Sequence, residues 1–121
     1  MTVFGTYSIE EVLPRFAINS KFKKKISIAG FKVKANSERL LLFNKQLQEF
    51  GKIFCVKCNL EARHFKLETS IGNETPHFNL YSNDDILFTK DHIIPKSKGG
   101  TNSLSNYQVM CTKCNHEKDN N

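Results

Sequence analysis

The chain has no tryptophan, three prolines, six glycines and four cysteines in 121 residues. No apolar run approaches the ~20 residues that a membrane-spanning helix needs. The opening residues Met1-Thr2-Val3-Phe4-Gly5 carry neither a charged segment nor a long apolar stretch, so no signal peptide is expected. A cytoplasmic location and no membrane partner are the default expectation. With tryptophan absent, ten phenylalanines are the main supply for a core. At 39% apolar and 25% charged residues that core is modest, and a chain this short often needs a staple.

Acidic residues are scarce in the first half. Residues 1–54 hold ten Lys and Arg against four Glu, for +6, whereas residues 55–121 hold eight of each sign. A basic half joined to a neutral half suggests a polyanionic partner, nucleic acid first, although a solvated basic surface has the same composition. The division predicts a basic N-terminal extension over 1–54, made of short strands and a helix, and a separate core over 55–121.

Ser8-Ile-Glu-Glu11 has the form of a capping box and predicts a short helix, which Pro14 limits. Ile26-Ser-Ile28 and Phe31-Lys-Val33 alternate around Ala29-Gly30 and predict two short strands. Ser37 to Phe50 predicts a helix with Leu40, Phe43, Leu47 and Phe50 on one face and Gly51 as its stop. Strand segments are expected at 65–67, 78–81, 86–92 and within 104–110, with a last helix over 111–119.

The four cysteines are few but patterned: Cys55-x-x-Cys58 and Cys111-x-x-Cys114, with 52 residues between the pairs. Without a secretory signal, two such pairs read as a structural zinc site before they read as disulfides. Four thiolates leave no open position for water, so any chemistry has to lie elsewhere.

Between and beside the pairs stand Asp91-His92-Ile-Ile-Pro95, Gly99-Gly100, Asn106 and Asn115-His-Glu-Lys118. Singly these are ordinary turn and surface residues. In this order, with the flanking cysteines, the stretch from 55 to 118 resembles the HNH nucleases, the ββα-metal or His-Me finger family, in the His-Asn-Asn branch that includes small phage enzymes. The resemblance implies an α+β fold with a ββα-metal core stapled by a four-cysteine zinc site. It implies a metal-dependent DNA endonuclease or nickase in which His92 is the general base and Asn106 orients it. Asp91 and Asn115, with the adjacent His116 as the alternative to Asn115, would hold Mg²⁺ or Mn²⁺. One carboxylate and one amide oxygen suit such a hard cation. Lys96, Lys98, Lys113 and Lys118 lie in or near the motif and could touch phosphates. Lys21, Lys23, Lys24, Lys25, Lys32 and Lys34 offer a wider DNA contact. If the chain is a phage product, its location is the host cytoplasm.

Two readings from other classes compete with this one. The first is an inactive, zinc-stapled nucleic-acid-binding module, and the second a zinc-ribbon module that binds protein. Neither needs Asp91, His92, Asn106 and Asn115 together.

Overall fold

Capping residues and alternation account for the local elements of the computed structural model, which describes residues 2–19, 24–70 and 75–119. Strand β1 (Thr2–Ser8) leads into helix α1 (Ile9–Phe16), where the Ser8 hydroxyl accepts the Glu11 N–H at 3.1 Å. Pro14 lies inside α1 and leaves one backbone bond unmade, yet Val12, Leu13 and Phe16 are all buried. Strands β2 (Lys25–Ile28) and β3 (Phe31–Lys34) form a hairpin around Ala29 and Gly30, with φ of 51° and 82°. Two successive positive φ angles suit the right-handed twist of the strands. Ile26, Ile28, Phe31 and Val33 pack on the core, and Lys25, Lys32 and Lys34 are exposed.

Helix α2 (Glu38–Phe50) starts where the Ser37 hydroxyl accepts the Leu40 N–H at 3.2 Å. It stops at Gly51, whose φ of 75° lets its N–H reach the Leu47 carbonyl at 2.8 Å. Leu40, Leu42 and Phe43 are buried. Phe50 departs from the expected face: it is 60% exposed and lies edge-on against Phe54, because the last turn of α2 runs past the core.

The remaining strands are β4 (Ala62–Thr69), β5 (His77–Ser82), β6 (Phe88–His92) and β7 (Tyr107–Cys111), followed by helix α3 (Thr112–Asp119). Strand β1, which periodicity did not reveal, pairs antiparallel with β4, and β4 with β5, giving the order β1-β4-β5. Thus residues on both sides of position 54 share one sheet, and one buried cluster runs through both. Phe16, Phe43, Phe65, Phe78 and Phe88 are almost fully buried. Phe78 takes Phe16 and Phe65 edge-on at 4.6 and 6.1 Å. Burial of each such ring is worth ~1.5–3 kcal/mol, so these rings are the main apolar support of a fold this small.

Strands β6 and β7 form a second antiparallel pair, with Asp91 opposite Gln108 and His92 opposite Tyr107. Helix α3 follows at once and packs on both strands. The whole is a small mixed α/β fold with a four-cysteine cluster at the root of α3.

Candidate metal centre and active site

Cys55 and Cys58 sit in a tight turn after α2. The Cys55 N–H bonds the Leu60 carbonyl at 2.9 Å, and Asn59, at φ 66°, returns its N–H to the Cys55 carbonyl at 2.8 Å. Gln46 of α2 holds the turn from behind, bonding the Phe54 N–H at 2.9 Å and the Phe54 carbonyl at 3.1 Å. The Val56 N–H reaches the Val109 carbonyl at 3.0 Å, which joins the turn to β7. Cys111 ends β7 and Cys114 lies in the first turn of α3.

All four sulfurs lie within 4.8 Å of one another, with no disulfide among them. Cys58 and Cys111 are 3.8 Å apart, Sγ to Sγ. Four sulfurs about 2.3 Å from one tetrahedral ion would stand about 3.8 Å apart, so the spacing fits zinc. Burial raises the Cys111 and Cys114 thiols, and for Cys114 the neighbouring thiols add to it. Burial also acts on Cys55, but backbone N–H groups of Cys111, Cys58 and Lys57 outweigh it and bring that thiol down to about 7. A crowded thiol cluster of this kind is what a thiophilic cation binds and ionises.

Asp91 and His92 close β6. Neighbours on a strand leave by opposite faces, and here Asp91 faces α3 while His92 faces Tyr107, whose ring it meets edge-on at 5.1 Å. The strand ends at His92, so both side chains still line one cleft of about 260 Å³ with Pro95, Lys96 and Lys118. Asp91 Oδ2 accepts from Lys118 Nζ at 2.7 Å and from Gln108 Nε2 at 2.9 Å. Lys118 also donates to the His92 carbonyl at 3.0 Å. Asn115 stands one turn before Lys118 on the same face of α3 and donates its amide N–H to Thr89 Oγ1 at 3.0 Å. Asn115 and Asp91 therefore meet the same β6–α3 interface, and the amide nitrogen of Asn115 is the atom turned to Thr89. The neighbouring His116 is exposed.

The loop from Ile93 to Asn106 is closed by Asn106, which is 8% exposed. Its side chain accepts the Ile94 N–H at 2.9 Å and donates to the carbonyls of Ile94 at 3.1 Å and Thr101 at 2.8 Å. Its own carbonyl accepts the Ile93 N–H at 2.8 Å. Asn106 thus fixes the backbone beside His92, whereas the side-chain oxygen that meets the His92 ring is Asn102 Oδ1, 3.0 Å from Nε2. The loop also needs Gly100, where an added Cβ would stand 1.7 Å from the Ile94 carbonyl oxygen. Gly100→Ala is expected to lower Tm by about 4–15 °C, since the clash is with backbone. A thermal melt identical to wild type would show that the loop is not closed this way.

Lys96 lines the cleft, and Lys98 and Lys113 are exposed. Lys118, expected at the substrate, is ion-paired to Asp91. Lys24, Lys25, Lys32 and Lys34 are exposed on or beside the β2–β3 hairpin, while Lys21 and Lys23 lie outside the described residues. The residues that the sequence did not single out are Asn102, Gln108, Thr89 and Tyr107. Their roles depend on the β6–β7 register and the loop path, which no spacing rule supplies.

No curated protein and no solved structure matches the chain. Residues 82–121 match the family model described as HNH endonuclease; the match takes in β6, the loop, β7, α3 and the second cysteine pair.

Proposed function

We propose that the protein is a metal-dependent DNA endonuclease or nickase that hydrolyses phosphodiester bonds in the cleft at the end of β6. The observation that carries this reading is that Asp91 and His92 line one cleft within the stretch that matches the HNH endonuclease family. With Asn102 accepting from Nε2, the His92 ring presents Nδ1 as its lone-pair nitrogen, the atom that would take a proton from water. Asn106 holds the adjacent backbone and so keeps the ring at the cleft. The β6–β7–α3 arrangement is consistent with a ββα-metal core.

Asp91 and Asn115 are the oxygen donors suited to Mg²⁺ or Mn²⁺, which when bound would offset charge on the phosphoryl group and the leaving oxygen. The cysteine cluster would hold a structural zinc that anchors α3. Lysines at 24, 25, 32, 34, 96, 98 and 113 would contact phosphates, which positions DNA without reading its sequence. A cytoplasmic site of action goes with this reading, in the host cell if the chain comes from a phage.

A catalytically inactive nucleic-acid-binding module is the second reading. The observation in its favour is the Lys118 ammonium that already neutralises Asp91. Wild type compared with Asp91→Asn separates the two, since a binding module nicks in neither form. Under the nuclease reading, plasmid nicking in Mg²⁺ falls by about 10²-fold or more with DNA affinity retained. Equal nicking rates for Asp91→Asn and wild type would remove Asp91 from the reaction.

A further inference from the structure

A second cleft, of about 520 Å³, is lined by Lys34, Ser37, Glu38, Arg39, Thr89 and Lys90. Three elements build it: the end of β3, the first turn of α2 and the middle of β6. It carries three cations against one carboxylate. Thr89 and Lys90 directly precede Asp91 and His92 on one strand, so at about 3.3 Å per residue the two clefts are neighbours.

Two of the three cations, Lys90 and Arg39, are held in place by contacts within the protein. Lys90 Nζ bonds Glu38 Oε2 at 2.9 Å and sits 4.2 Å from the centroid of the Tyr107 ring. The same ring meets His92 edge-on at 5.1 Å. Lys90 first, then Tyr107, hold the Glu38 carboxyl below its usual range, and Lys34 adds to this. Arg39 donates to the Phe78 carbonyl at 2.8 Å, and among the described residues no carboxylate pairs with it. Lys34 also belongs to the hairpin face, directly across from Lys25. Like charges placed opposite one another weaken a hairpin, which makes sense where a polyanion neutralises them.

We propose that this cleft is the track for the DNA backbone beside the bond to be cut, with Lys34, Arg39 and Lys90 taking phosphates of the strand whose next phosphate enters the Asp91–His92 cleft. The assignment rests on the nucleic-acid reading above. Glu38 acts as the internal counter-ion of Lys90, and phosphate takes its place when DNA binds.

The test is binding of a short fluorescein-labelled duplex to the full chain over a salt series, without added magnesium. Lys34→Gln and Lys90→Gln are each expected to reduce the slope of log affinity against log salt by about 1, as one lost phosphate contact does. Glu38→Gln is expected to raise affinity about two- to threefold, since it removes a like charge at an exposed position. That opposite sign separates the track from a merely structural ion pair, whose loss would weaken binding in both partners. Lys34 is exposed, so its variant reports even if Lys90→Gln perturbs Tyr107.

Unchanged slopes in both lysine variants, with wild type binding and nicking normally, overturn the track and leave the nuclease reading standing. Lower slopes in a protein that does not nick support the track and count against the nuclease. No binding by wild type overturns both.

Discussion

Cys58→Ser protein is expected to lose the zinc proposed for the cysteine cluster and, with it, its cooperative fold. Cys58 is exposed, so its side chain contributes little by packing. The effect comes through α3. That helix is eight residues long, too short to persist alone, and Cys114 is its one buried residue among those described. The sulfur cluster, the polar contacts of Asn115 and Lys118 with β6, and the Thr112 N–H bond to the Leu87 carbonyl at 2.9 Å hold it in place. Structural zinc supplies an apparent ~10–16 kcal/mol, as much as the entire ~5–15 kcal/mol stability of a typical domain. Metal content and a thermal melt followed by circular dichroism decide the matter. A zinc-free variant with a wild-type melt would show that the cysteines do not staple the fold.

His92→Ala is expected to cut nicking by about 10²–10⁴-fold, the range a general base contributes, while zinc content stays at the wild-type level. The stability cost should be small. His92 is half-buried, and the ring contact with Tyr107 is of a kind worth ~0.5–1.5 kcal/mol. Since Asn106 bonds backbone rather than the imidazole, the loop keeps its closure when the ring is removed. The readout is the initial rate of supercoiled plasmid loss for both proteins at equal zinc occupancy. A full rate in the variant would mean that another group activates water.

Both helices before the cysteine turn were legible because their ends carry side-chain caps. Ser8 and Ser37 each accept the N–H three residues on, and Gly51 adopts the left-handed conformation that stops α2. The β2–β3 hairpin was legible from its alternation, and the four cysteines from their spacing. Strand β1 was not. Thr2–Ser8 mixes exposed and half-buried residues without a clean period, and its conformation comes from pairing with β4, some sixty residues away. The site was legible as a set of residue types and illegible as a geometry. Gln108 reaches Asp91 because the β6–β7 register puts them opposite, and Asn102 reaches His92 because Asn106 and Gly100 fold the loop back. Lys118 is the clearest case. Its place in the motif reads as a phosphate contact, and only the packing of α3 on β6 brings it onto Asp91.

The most direct test of the central claim is incubation of purified protein with supercoiled plasmid in Mg²⁺ or Mn²⁺, and in the same buffer with those ions withheld. The account predicts nicked circles that accumulate with the added ion and at no comparable rate without it. It also predicts that the His92→Ala protein leaves the plasmid supercoiled. Zinc-loaded, folded protein that binds the plasmid and leaves it intact under every metal condition would contradict the nuclease and make the chain a binding module.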